Sequence, residues 1–293
     1  MGCAAQPANG TNDVANFASM MNLWEYSYPV PGIVYKRVGK FECTLDIFTP
    51  QSMTAPRPVV MYIHGGGWGS PKRWNKMSHV LLPMPYLSLG IIVVHVEYRT
   101  SDVVMAPAAV EDCRYALRWI HANAEEYGFD TSKLLVTGDS VGSNLSLLMG
   151  FLDARHGFDE DCPEGPEPSV SAVINVFGQT DVADLLVEPN RKGYAVNWIG
   201  DQPNGMEVAK RVSPLTYVRP GLPPVLTFHG DKDPVVPVEH AIRLHQALNK
   251  AGVSNRLVRF PDWIHNHGAL LAKYQQTFAE EVVQFLKQHT III

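Results

Sequence analysis

Apolar residues recur along this chain in short runs, several of which are continuous rather than alternating. Residues 58–63 form such a run, which is typical of a strand buried on both faces of a sheet. Residues 33–38 and 43–48 alternate and are rich in β-branched or aromatic side chains, so they predict a leading pair of strands. Further strands are predicted at residues 91–96, 134–137, 170–177, 225–228 and 256–260.

Between the later strands the pattern changes to that of helices. A long helix is predicted at residues 108–127, and shorter helices are predicted at 141–154, 238–251 and 269–288. Such alternation favours a mostly parallel sheet of about eight strands with helices on both faces. The sequence therefore predicts an α/β fold, organised as a single domain over residues 1–293.

Two segments depart from this alternation. Residues 1–30 are predicted to be irregular and form an N-terminal segment. Residues 178–222 are rich in Gly, Pro and Asn and could form an ordinary connection. A partial cap over an active site is the favoured interpretation, because loops of this length in compact domains usually have a function.

Composition narrows the possible partners of the protein. With 46% hydrophobic and 18% charged residues, the chain can bury a sizeable core and does not resemble a disordered protein. The net charge of −5 and the scattered Lys and Arg residues argue against a nucleic-acid partner. No apolar run approaches the ~20 residues that span a membrane. The four cysteines form no C-x-x-C pair, so a zinc ribbon or a redox motif is not predicted.

The N-terminal sequence is compatible with two cellular locations of the protein. The start Met1-Gly2-Cys3-Ala4-Ala5 lacks the charged and apolar lead of a signal peptide, which favours a soluble cytoplasmic protein. The Gly-Cys-Ala order also fits the end of a bacterial lipoprotein leader. In that alternative the protein is extracytoplasmic.

The pentapeptide Gly138-Asp139-Ser140-Val141-Gly142 lies between a predicted strand and a predicted helix. A G-x-S-x-G turn in this context holds its serine in a strained conformation, and its glycines let the strand and the helix pass closely. The N-terminus of the following helix favours negative charge beside the serine oxygen. Because the spacing also occurs by chance in loops, the other groups that a nucleophilic serine needs must be sought elsewhere in the chain.

The strongest such candidate is His64-Gly65-Gly66-Gly67-Trp68, which directly follows the buried strand at 58–63. Consecutive glycines let the backbone turn back and present its N–H groups to a ligand. A flexible glycine turn explains this composite pattern less well than an oxyanion site does.

Acid and base candidates follow the last two strands. Asp231 and Asp233 follow the strand at 225–228, and either could instead cap the next helix. His265 and His267 follow the last strand, so the order Ser–Asp–His matches that of α/β-hydrolase triads. The His-x-His pair could also suggest a metal, but without a third ligand nearby no metal site is predicted.

Together these motifs resemble the α/β-hydrolase superfamily, and more narrowly its hormone-sensitive-lipase-like and feruloyl/acetyl-esterase branch. The resemblance extends from residue 45 to the C-terminal helix. It implies that Ser140 is the nucleophile and Asp233 the acid of the catalytic triad. It also implies that amides of Gly66, Gly67 and Val141 form the oxyanion hole.

The histidine of the triad is the least regular match. Alignment on residues 260–261 places the base at His265, which the resemblance favours. Residues 262–264 replace the small residues of the family pattern, and the usual His-Gly pair occurs two residues later at His267. His267 therefore stays an alternative base.

The resemblance implies a serine esterase that acts on short-chain or small aromatic esters through an acyl-enzyme, without a metal or organic cofactor. An amide or formamide hydrolase and a non-catalytic ligand-binding protein of this fold are the alternatives. The predicted partner is a small-molecule ester. The aromatic residues that could line its pocket, Trp68 and Trp198 foremost, are equally well explained by packing; they are Trp68, Trp74, Tyr194, Trp198 and Trp263.

Overall fold

The computed structural model describes residues 10–20, 30–50, 55–69 and 82–293. Its strands are β1 (Val30–Val38), β2 (Phe41–Phe48), β3 (Arg57–Ile63), β4 (Ile92–Val96), β5 (Phe129–Asp139), β6 (Ala172–Val176), β7 (Val225–Gly230) and β8 (Asn255–Phe260). They form an eight-stranded sheet in the order β1-β2-β4-β3-β5-β6-β7-β8. All the predicted strands are present in it.

The sheet is mostly parallel, as predicted. Strand β2 runs antiparallel to β1 and β4, whereas every neighbouring pair from β4 to β8 is parallel. The carboxyl ends of β3, β5, β7 and β8 therefore lie at one edge of the sheet. Each is followed by one of the candidate functional segments, and parallel sheets usually bind their ligands at this edge.

Helices flank the sheet, and each of the four predicted helices corresponds to helical structure. They are α1 (Gly10–Met20), α2 (Pro85–Ser88), α3 (Ala108–Ala122), α4 (Ala124–Tyr127), α5 (Val141–Phe151), α6 (Gly193–Ile199), α7 (Gly205–Arg211), α8 (Glu239–Lys250) and α9 (His267–Gln288). The helix predicted at 108–127 is interrupted at Asn123, whose side chain donates a hydrogen bond to the Trp119 carbonyl. The helix predicted at 141–154 ends earlier, because Leu152 adopts an extended backbone.

The continuous apolar character of β3 follows from its burial on both faces. Val59, Met61 and Ile63 point into the core layer that contains α3 and α5. Val60 and Tyr62 point into the opposite layer, which contains α1, α2 and α9. Successive strand residues face opposite sides of a sheet, so both sets must be apolar when helices cover both faces.

The prediction that residues 1–30 are irregular is wrong for residues 10–20, which form α1. Phe17 is fully buried between α2 and α9, and its ring meets that of Tyr86 edge-to-face at 5.3 Å. Ala18, one residue later, is also buried. This tertiary packing stabilises a helix whose sequence is too polar to indicate one. Residues 1–9 and 21–29 lie outside the described part of the chain.

Residues 178–222 contain short ordered elements rather than a continuous loop. Helices α6 and α7 lie between two 3₁₀ turns, Asp184–Leu186 and Pro214–Tyr217. Buried residues of α6 and α7, including Trp198, join the core layer of α3 and α5. Across the described segments, none of the helices has the length and apolar character required to cross a bilayer.

Candidate active site

Ser140 occupies the sharp turn between β5 and α5. Its backbone has φ 52° and ψ −122°, a conformation that residues other than glycine rarely adopt. Its amide donates a hydrogen bond to the Val176 carbonyl at 2.9 Å, which ties the turn to β6. The strained turn that the sequence motif predicts is therefore present, and the helix N-terminus begins at the next residue, Val141.

The glycines on either side of this turn are required by close backbone contacts. A Cβ atom at Gly138 would lie 2.3 Å from the Ile63 oxygen, and one at Gly142 would lie 2.0 Å from the same atom. Neither position can hold a larger residue without movement of β3 or α5.

We expect the substitution Gly142→Ala to lower the free energy of unfolding by roughly 1–3 kcal/mol, as over-packing of a close contact usually does. Urea unfolding measures the effect. Gly165→Ala is the matched control, because a Cβ atom there would meet no atom within 4 Å. Equal stabilities of the two variants would contradict the steric role of Gly142.

His265 connects the serine to an acid. Its Nε2 atom lies 2.9 Å from Ser140 Oγ, and its Nδ1 atom lies 2.7 Å from Asp233 Oδ2. With its proton on Nδ1, the imidazole donates to the carboxylate and accepts from the serine hydroxyl. The structure thus joins three side chains from the ends of β5, β7 and β8, and the serine and histidine are 125 residues apart in sequence.

Asp233 is held in its ionised form by its surroundings. Its side chain is buried, and its Oδ1 atom accepts hydrogen bonds from the amides of Val235 at 2.8 Å and Val236 at 2.9 Å. Burial alone would raise the pKa of this carboxyl, but the hydrogen bond and charge of His265, together with the Val236 amide, hold the pKa below its usual value. A carboxylate in this state can orient the imidazole and stabilise its protonated form.

The sequence left two choices open, Asp231 or Asp233 as the acid and His265 or His267 as the base. In the structure the members of each pair have different partners. Asp231 forms an ion pair with the Arg259 guanidinium, with Nε 2.6 Å from its Oδ1 atom, rather than contacting His265. The Nε2 atom of His267 lies 3.1 Å from Asp139 Oδ2. The two histidines that follow β8 therefore contact different carboxylates.

The glycine loop after β3 lies against the serine turn. Gly66 and Gly67 have φ values of 126° and 67°, which only glycine adopts without strain. The amide of Gly65 donates to Asp139 Oδ1 at 3.0 Å. The loop is thus attached to the residue that directly precedes Ser140.

Tyr194 lies over the glycine loop. A Cβ atom at Gly67 would be 3.3 Å from the Cβ atom of this tyrosine, and the Tyr194 hydroxyl donates to the Val235 carbonyl at 3.2 Å. Lys192 donates to the Pro234 carbonyl at 2.9 Å. Within 178–222, the segment at 192–194 therefore connects the glycine loop with the loop that carries the acid.

Trp68 and Trp198 are buried rather than exposed to a pocket. Both have 0% exposed surface, and their rings stack with centroids 3.9 Å apart. This placement corrects the expectation that they line a substrate pocket and agrees with the packing alternative. Trp263 is also buried, at 1% exposure, and Trp74 lies outside the described residues.

Sequence reasoning missed two residues of the site. Phe177 directly follows β6, and the centroid of its ring lies 4.2 Å from that of His265. Its φ of 44° is rare for a bulky side chain. Asp139 is the first variable position of the serine motif, and its side chain is a buried polar group with only 2% of its surface exposed. Both residues lie at the carboxyl end of a parallel strand, and this position could have indicated from the sequence that they belong to the site.

Comparison with known proteins identifies the family. The family model described as BD-FAE matches residues 45–248. The chain belongs to the BD-FAE family. The predicted resemblance to α/β-hydrolase esterases is thereby confirmed, and so is the predicted fold.

Two curated proteins of Mycobacterium tuberculosis are similar to this BD-FAE chain. Esterase LipC is 30% identical over 206 residues, which cover 67% of this chain and 50% of LipC. Esterase LipQ is 26% identical over 300 residues, which cover 96% of this chain and 69% of LipQ. The chain therefore spans about half the length of the first relative and about two thirds of the second.

Among solved structures, the apo form of Thermogutta terrifontis esterase 2 matches with a TM-score of 0.73 and 25% identity. The match covers 93% of this chain and 97% of that protein. Structures of that esterase with propionate bound and with butyrate bound also match, both at 24% identity with a TM-score of 0.72. The fold of this BD-FAE chain is therefore shared over nearly its whole length.

Proposed function

We propose that this chain is a serine carboxylesterase that hydrolyses small esters through an acyl-enzyme. The observation that carries the proposal is the continuous connection from Ser140 through His265 to Asp233, with both contacts at 2.9 Å or less. A nucleophile, a base that touches it and a carboxylate that orients the base are the three groups that acyl transfer to serine requires.

In the acylation step, Ser140 Oγ attacks the ester carbonyl while His265 Nε2 takes its proton. Asp233 stays ionised and stabilises the imidazolium on the Nδ1 side. Amides of the glycine loop and of the helix N-terminus stabilise the tetrahedral oxyanion; we assign this role to Gly66, Gly67 and Val141. The imidazolium then protonates the leaving alcohol.

In the deacylation step, water replaces the alcohol and gives a proton to His265 Nε2 as it attacks the acyl carbonyl. Collapse of the second tetrahedral intermediate releases the carboxylic acid and returns the proton to Ser140. The proposed cycle uses only side chains and amides of this chain together with water.

Short acyl chains are the substrates that we propose. The similar Thermogutta esterase binds propionate and butyrate, the products of short-chain ester hydrolysis. In this chain, Tyr194 packs over Gly67 and restricts the space beside the glycine loop. We further propose that residues 178–222 act as a partial cap, which is supported by the contacts that Lys192 and Tyr194 make across the site.

An acyl-length series tests this function. We expect kcat/KM for p-nitrophenyl esters to be highest for acyl chains of about two to four carbons, and to fall by roughly tenfold or more for chains of about eight carbons. The matched p-nitroanilides separate an esterase from an amide hydrolase, because the former is expected to turn over the ester far faster.

A fluorophosphonate probe tests the remaining alternative, a ligand-binding protein without activity. We expect one covalent adduct per chain, and peptide mass spectrometry should place it on Ser140. Absence of both labelling and ester turnover would overturn the proposal.

A further inference from the structure

Asp139 is a second buried carboxylate of the candidate site, separate from Asp233. Only 2% of its surface is exposed. Its Oδ1 atom accepts hydrogen bonds from the Tyr62 hydroxyl at 2.6 Å and from the Gly65 amide at 3.0 Å. Its Oδ2 atom lies 3.1 Å from His267 Nε2. One carboxylate therefore contacts β3, the glycine loop and the first residue of α9.

Each of these contacts lies next to a proposed catalytic group. Asp139 directly precedes Ser140 in the chain. Gly65 directly precedes the two glycines of the proposed oxyanion hole, and His267 follows the base, His265, by two residues. Fixing Asp139 relative to Gly65 and His267 consequently fixes the three segments of the proposed machinery relative to one another.

Packing leaves little freedom around this carboxylate. A Cβ atom at Gly65 would lie 2.4 Å from Asp139 Oδ2, so the glycine loop touches the carboxylate directly. The Phe177 ring is fully buried, and its centroid lies 4.2 Å from the His265 ring and 5.1 Å from the His267 ring. The Phe177 ring thus packs against both imidazoles.

Two donors, the Tyr62 hydroxyl and the Gly65 amide, face the Oδ1 atom of Asp139. Burial, followed by the charge of Asp139, raises the pKa of Tyr62 well above its usual value, so the hydroxyl remains a donor throughout the working range of pH. A buried carboxylate is costly unless donors surround it. On the Oδ2 side, the His267 Nε2 atom lies within ion-pair distance at 3.1 Å, without the geometry of a hydrogen bond.

We propose that His267 is a positioning residue for ester hydrolysis, which acts through its contact with Asp139. This inference rests on the proposed function. The Asp139–His267 pair holds the loop that carries His265 against the nucleophile turn and the glycine loop. His265 itself is oriented by Asp233, so the two carboxylate–histidine pairs have different tasks. The Asp233–His265 pair serves proton transfer. The Asp139–His267 pair sets the distances between the His265 loop, the nucleophile turn and the glycine loop.

Positioning of this kind changes the chemical step more than substrate binding. A displacement of about 1 Å in a catalytic group can cost 10²-fold in rate. Loss of the contact should therefore lower kcat, while KM and the number of reactive serines stay the same. A purely structural defect would instead reduce the fraction of folded, labelled protein.

The test compares three substitutions of His267. We expect His267→Leu and His267→Asn to lower kcat for p-nitrophenyl acetate by roughly 10- to 100-fold. KM should stay within about twofold, and fluorophosphonate should still label one serine per chain, only more slowly. His267→Gln should retain most of the activity, since its amide N–H can reach the carboxylate. Asn is too short to reach it and provides a polar variant if the Leu variant fails to fold.

A double-mutant cycle with Asp139→Asn tests the partner. If the two residues act through one contact, the effects of His267→Leu and Asp139→Asn on kcat should be less than additive. Asp262→Asn is the control in the same loop, because this exposed carboxyl contacts Lys273 and Tyr274 rather than the candidate site. It should leave kcat unchanged.

Two results would overturn the inference while the proposed function stands. Wild-type kcat in both His267→Leu and His267→Asn would show that the contact does not position the site. A loss of kcat as large as that of His265→Ala, including in His267→Gln, would make His267 itself a base. Failure of the proposed function is a distinct result, in which Ser140→Ala keeps full esterase activity.

Discussion

Ser140→Ala is expected to lower kcat for p-nitrophenyl acetate by about 10⁴- to 10⁶-fold, the loss that removal of a serine nucleophile causes in other enzymes. The hydroxyl is the atom that forms the acyl bond in the proposed cycle, and no water in the same place can carry the acyl group. Stopped-assay kinetics at high enzyme concentration measure the residual rate, and thermal unfolding checks that the variant is folded.

Ser132→Ala is the control for this substitution. Its hydroxyl is exposed and hydrogen-bonds to the Asp130 carboxylate near the start of β5, at the opposite end of this strand from Ser140. It should keep wild-type kcat and fluorophosphonate labelling. If Ser140→Ala kept more than a few per cent of the wild-type kcat, another nucleophile would have to carry the reaction.

His265→Ala is expected to have an effect of similar size, about 10⁴- to 10⁶-fold on kcat, because a serine hydroxyl without a base is a weak nucleophile. The substitution removes both the contact at 2.9 Å to Ser140 and the contact at 2.7 Å to Asp233. The combined variant Ser140→Ala with His265→Ala should lose little more than either single variant, since the two groups act as one unit.

Labelling kinetics distinguish the base from other histidines. Fluorophosphonate labelling should be much slower in His265→Ala than in the wild-type protein, whereas His121→Ala should be labelled at the wild-type rate. His121 lies on α3 and contacts the Ser169 carbonyl at 3.1 Å, away from the strand ends that carry the site. Normal labelling of the His265→Ala variant would contradict the assignment of the base.

Much of the fold could be predicted because it depends on local patterns. The continuous apolar run of β3 implied burial on both faces, and both core layers indeed contain its side chains. Helix α1 could not be predicted in this way. Its stability depends on the burial of Phe17 against α2 and α9, and those helices lie far from it in sequence.

The candidate site was predictable where steric rules apply. The G-x-S-x-G spacing implied a tight turn, and the close approach of Gly138 and Gly142 to the Ile63 oxygen gives the reason. Aromatic side chains follow no such rule. Trp68 and Trp198 are compatible with a pocket or a core in sequence, and only the stacking of their rings decides between these.

The sequence by itself determined the order of strands and helices, the strained serine turn and the glycine loop, since each depends on residues that are neighbours in the chain. Only the tertiary structure decided which histidine meets Ser140 and which meets Asp139. His265 lies in the loop after β8 and His267 begins α9 only two residues later, so no periodicity separates them. Their partners come from other strands, and the Phe177 ring, which follows β6, packs against both imidazoles.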